Sequence, residues 1–74
     1  MDRWLTATVA AFPVPVRREL ARILELPRDE RAREIGRLHR LDGAHQFSEL
    51  LIDLEEDERV RRLVLAELHN QLRG

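Results

Sequence analysis

An all-α fold is predicted by three features of the sequence. Apolar residues recur at helical spacing along the whole chain, no stretch alternates apolar and polar as a half-buried strand does, and Pro, Gly and potential caps cut the pattern into short segments. The expected architecture is a single small domain over residues 1–74, with four to five short helices in compact orthogonal or bundle-like packing. At 74 residues there is room for one core. A chain this small hides only about 60% of its unfolded surface, so that core is thin.

Taken in order, Leu5, Val9 and Phe12 fall at i, i+4, i+7 on a first helix, with Asp2 as its expected N-cap and an end near Ala11 because Phe12 precedes Pro13. Phe12-Pro13-Val14-Pro15 reads as an extended connector, and Pro15 suits the first turn of a second helix whose face is Val16, Leu20, Ile23 and Leu24. Pro27 closes that helix. Asp29 is the expected N-cap of a third helix, with Glu30 in its first turn and a narrow stripe of Ile35, Leu38 and Leu41 beside His39. Gly43 suits the C′ position, and Asp42 could equally cap the next helix. Phe47, Leu50, Leu51 and Leu54 make the face of a fourth helix, and the phase is lost across Glu55-Glu56-Asp57-Glu58. Asp57 is the expected N-cap of a fifth helix carrying Val60, Leu63, Val64, Leu68 and Leu72; one bent helix from Ala44 to Arg73 is the alternative. The expected core is Leu20, Leu24, Leu38, Leu50, Leu51, Leu54, Val64 and Leu68.

Composition narrows the function. At 43% hydrophobic and 36% charged, the chain is too apolar for a disordered tail and too interrupted by charge for a membrane span. The absence of Cys excludes disulfides and thiolate chemistry. The 13 cations are all Arg, so there is no Schiff-base or general-base lysine. An Arg-only cation set fits a GC-rich bacterial or phage genome. The apolar stretch from Trp4 to Val16 lacks a basic n-region and is interrupted by Pro13 and Pro15, so it reads as folded protein rather than a signal peptide; a cytoplasmic setting is expected.

Catalytic and metal patterns are weak. His39, His45 and His69 form no i, i+4 pair, and His45 with Glu49 supplies only two ligands. Ser48 is the only Ser, expected to decorate the start of the fourth helix, and Gly36, Gly43 and Gly74 are isolated rather than gathered in a phosphate loop. No catalytic residue, metal or cofactor is expected. Val16-Arg17-Arg18 and Val60-Arg61-Arg62 recur 44 residues apart, a spacing similar to that of HEAT-type helical hairpins. The chain holds fewer than two such units, so the recurrence reads as similarity between Arg-rich amphipathic helices.

Two binding readings remain. Arg33, Arg37 and Arg40 form an edge at i, i+4, i+7 that could meet phosphates, which makes a small DNA-binding regulator using helix 29–41 the alternative function. Against it stand the net charge of −1, Glu30 and Glu34 interleaved at pairing distance, and no aromatic residue beside the Arg edge to stack on bases. The primary expectation is a non-catalytic protein–protein interaction module (an adaptor, inhibitor or regulatory subunit) whose partner is another protein or its own copy. Charge is strongly segregated: eight Arg against five acids over residues 16–40, seven acids and no Arg over 42–58, and four Arg against one acid over 59–73. The last helix spreads its apolar residues over roughly 200°, twice an ordinary stripe. It is therefore either a central helix or one that meets another chain. The expected interface residues are Ile52, Arg61, Leu65 and Leu72, with Glu55, Glu56, Asp57 and Glu58 as acidic counterparts.

Overall fold

A computed structural model describes residues 2–41 and 45–73, with the side chains of 3–41 and 47–73. Among the described residues five helices follow one another: α1 (Asp2–Ala10), α2 (Val14–Leu24), α3 (Arg28–His39), α4 (His45–Glu56) and α5 (Glu58–Arg73). Strands are absent from the described residues, and no described helix is long and apolar enough to cross a membrane.

Proline sets two of the helix starts. Pro13 and Pro27 occupy the N-cap positions of α2 and α3 with φ/ψ of −58°/153° and −57°/156°, and neither cap uses a side-chain hydrogen bond. Their carbonyls accept the first intrahelical bonds, from Arg17 N–H at 3.0 Å and Arg31 N–H at 2.9 Å. Two expectations are corrected by these caps. The connector before α2 is shorter, because Val14 is already helical and Pro15 sits in the first turn, where its missing N–H costs nothing. Asp29 is not the N-cap of α3; it lies with Glu30 in the first turn and acts there through the helix dipole. Asp2 is the first helical residue of α1, and its capping role, like those of Asp42 and Gly43, lies outside the described residues.

At the α4–α5 break the chain makes two helices. Asp57 Oδ1 accepts from Arg59 N–H at 3.0 Å and Val60 N–H at 3.2 Å, the N-cap geometry its position predicts. The core gathers Val9, Leu20, Ile23, Leu24, Ile35, Leu38, Leu51, Leu54, Val64 and Leu68, with Leu5, Phe47, Leu50, Val60, Leu65 and Leu72 packed around it. Leu50 is thus half-buried rather than central. Leu41 leaves the expected stripe: α3 ends at His39, the chain turns out of phase, and Leu41 is 46% exposed.

α5 is the hub of the packing. It lies against α1, α2 and α4, and α3 pairs with α4 and with α2. The α1–α5 seam is polar at its edge. Thr6 Oγ1 donates to Glu67 at 3.2 Å, Gln71 Nε2 donates to the Thr6 carbonyl at 3.0 Å, and Arg17 on α2 donates to Gln71 Oε1 at 2.8 Å.

Candidate functional site

α3 and α4 form an antiparallel pair held at three levels. Arg31 Nε donates to both oxygens of Glu55 at 3.0 and 2.9 Å, His39 Nδ1 and Ser48 Oγ share a hydrogen bond at 3.2 Å, and Ile35 is buried between these ties. Arg31 also donates to the Leu26 carbonyl at 2.7 Å, which fixes the guanidinium plane. Between the helices runs a groove of about 560 Å³. Ala32, Ile35, Gly36 and Ile52 make its apolar floor, and Arg28, His39, Arg40 and Glu55 its rim. The groove exists because α3 carries small residues at 32 and 36, one turn apart on its outer side. Ile52, the apolar lining residue contributed by α4, keeps 39% of its surface in solvent.

The acidic run of 55–58 separates into different tasks. Glu55 turns inward and lies between Arg31 at 2.9 Å and Arg61 at 3.4 Å, all three largely shielded from water. Arg61 also reaches the Leu54 carbonyl at 3.5 Å. Asp57 caps α5, Glu58 pairs with Arg62 at 2.9 Å, and Glu56 is exposed. Ile52 is therefore the exposed apolar member of the predicted interface set. Leu65 and Leu72 pack half-buried against the core, and the exposed large apolar residue of α5 is Leu63.

On the outer edge of α3, Arg37 donates to Glu34 at 2.9 Å, and Glu34 also accepts from Arg22 on α2 at 2.6 Å. Arg22 reaches on to Glu19 at 2.5 Å, so a chain of four charges stitches α2 to α3. Hydrogen bonds from Arg37 and Arg22 hold the Glu34 carboxyl down at about 2, and the Arg22 bond lowers that of Glu19. Arg33 and Arg40 are exposed and outside any ion pair of the described residues.

Ser48 lies beside His39, as a nucleophile lies beside its base, but its side chain is 0% exposed and no substrate can reach the hydroxyl. Among the described residues no three His, Asp or Glu side chains converge on a metal position. His69 pairs with Glu25 at the α2–α5 edge, and His45 lies outside the described side chains.

Sequence reasoning placed Arg28 at the start of the Arg edge and left Ala32 and Gly36 out of the candidate surface. The available signal was a pair of small residues at i, i+4 on an otherwise charged helix. It also passed over Glu49 and Asp53, which with Glu56 form an exposed acidic ridge at i, i+4, i+7 along α4. No family model, curated protein or solved structure matches this chain.

Proposed function

We propose that this chain is a non-catalytic protein–protein interaction module that works through the outer face of α3 and α4. The supporting observation is Ile52, an exposed branched aliphatic side chain over an apolar groove whose rim is charged. Apolar centres with charged rims are the common anatomy of specific interfaces. The partly buried Glu55 centre supports the same reading from below, since it ties together the two helices that would meet a partner. The setting we propose is the bacterial cytoplasm, which suits the Arg-only cation set and a Trp4–Val16 segment that is folded into α1 and the start of α2.

A nucleic-acid surface is the rival. Arg37 is engaged by Glu34, and Asp29 and Glu30 stand at the start of the same helix, so few cations remain for phosphates. A photo-crosslinker separates the two. Benzoylphenylalanine at Ala32 is expected to give a discrete protein adduct that Ile52→Arg abolishes, while the same group at Arg18 gives none. Absence of any protein adduct, together with a duplex DNA shift lost in the Arg33/Arg37/Arg40→Ala variant, would reverse the assignment.

A further inference from the structure

We propose that the partner for the α3–α4 face is a second copy of this chain, related by a two-fold axis that runs between the two helices and parallel to them. The proposal rests on reading that face as the interaction surface, and it names the occupant from charge and shape.

Arg31 lies opposite Glu55 and His39 opposite Ser48 in the antiparallel pair. That register sets Asp53 level with Arg33 or Glu34, Glu49 level with residues 37–38, two to three residues from Arg40, and Ile52 level with Glu34 or Ile35. The outward cations of α3 include Arg33 and Arg40, and the outward anions of α4 are Glu49, Asp53 and Glu56, the last beside the α3 start; all five are exposed and outside any ion pair of the described residues. Arg28 and Asp29 offset each other at the α3 start.

A two-fold axis parallel to the helices has a definite consequence. It lays α3 of one copy over α4 of the other while keeping every residue at its own level. Arg33 then lies level with the copy's Asp53, Arg40 lies within one helical turn of the level of the copy's Glu49, and both juxtapositions occur twice. Ile52 of each copy falls over the low Ala32–Gly36 stretch of the other, where a Cβ added at Gly36 would find its nearest contact only at 3.7 Å, in Arg40 Nη1. An axis perpendicular to the helices within the same face would instead stack α3 on α3 and α4 on α4, setting like charges together. The face is thus self-complementary in one arrangement and self-repelling in the other. A standard interface of about 800 Å² per partner would take roughly 15% of this chain's 5405 Å² surface.

Sedimentation equilibrium over a concentration series tests this. Wild type is expected to approach twice the 8.7 kDa chain mass, and Ile52→Arg to stay at the single mass with unchanged helicity. The decisive pair reverses one bank at a time: Arg33→Glu with Arg40→Glu, and Glu49→Arg with Asp53→Arg. Each double variant is expected to be monomeric alone, and an equimolar mixture to restore the dimer, because both halves of the mixed interface are again complementary. Wild type that stays monomeric at high concentration, or reversed variants that dimerise as well as wild type, overturns the proposal. A monomeric wild type that still yields a crosslinked adduct with a different protein overturns the homodimer alone and leaves the interaction reading standing.

Discussion

Glu34 carries two cations on one carboxylate, Arg37 from its own helix and Arg22 from α2, and its carboxyl is held at about 2 against an ordinary value of 4.5. A carboxyl lowered by folding contributes stability above the unfolded value and loses it as pH falls through the folded one. The contribution of Glu34 should therefore be complete at neutral pH and disappear between about 4.5 and about 2, with Glu19 adding in the same direction. Melting curves of wild type and Glu34→Gln should differ most near pH 7 and converge toward pH 2. A gap that does not change with pH would show that the carboxylate charge is not what joins α2 to α3. The expected Glu34–Arg37 pairing was legible in the i, i+3 spacing. The reach of Arg22 across to Glu34 was not, because it depends on how two helices lie against each other. Glu55 makes the same point more sharply: by sequence it is one of four acidic counterparts expected at an interface, and it is a shielded anion between two guanidiniums. Sequence spacing places a charge on a helix, and packing decides which neighbour it meets.

Among the elements, the long apolar arc of α5 was the feature open to two explanations, and most of it is used within the fold. α1, α2 and α4 cover three sides, and Val64 and Leu68 are buried beneath them. A centre of this kind tolerates truncation poorly. Leu68→Ala and Leu51→Ala should each cost about 2–5 kcal/mol, a large share of what so small a domain has to lose. Thermal unfolding checks this, and melts that match wild type would show that these two positions are not the middle of the core. Helix phase was legible wherever the stripe was continuous, as at Leu51, Leu54, Val64 and Leu68. Boundaries were legible where a side chain makes the cap, as at Asp57, and were misread where a proline backbone does, as at Pro27 before α3. Leu41 was misread for a related reason, since a periodic pattern carries no mark of where the helix stops supporting it.

Across the whole molecule, charge segregated along the sequence becomes charge segregated on a surface. α3 and α4 are adjacent, and so one face carries an Arg bank beside a carboxylate bank with Ile52 between them. The segregation itself was plain in the composition by segment. The groove was not, because it requires knowing that Ala32 and Gly36 turn outward beside Ile52 rather than inward toward the core. Arg33, Arg40, Glu49 and Asp53 take part in no ion pair among the described residues, so removing them should leave the melting temperature of the single chain nearly unchanged at concentrations too low for a dimer.

The position of α5 at the centre of the packing also sets an order in time. α1 and α2 both lean on a helix that comes after them in the chain, so during synthesis their apolar faces wait uncovered until residues beyond 58 have cleared the ribosome. α3 and α4, being sequence neighbours, can pair earlier, but they too lack the floor supplied by Val64 and Leu68. A nascent chain stalled after Glu56 should therefore generate no folding tension in an arrest-peptide assay, and the signal should rise steeply as the last helix emerges. Early tension before α5 appears would mean that a stable nucleus forms without it. For a protein with so thin a core, the helix made after the other four is the one that turns a string of amphipathic segments into a fold.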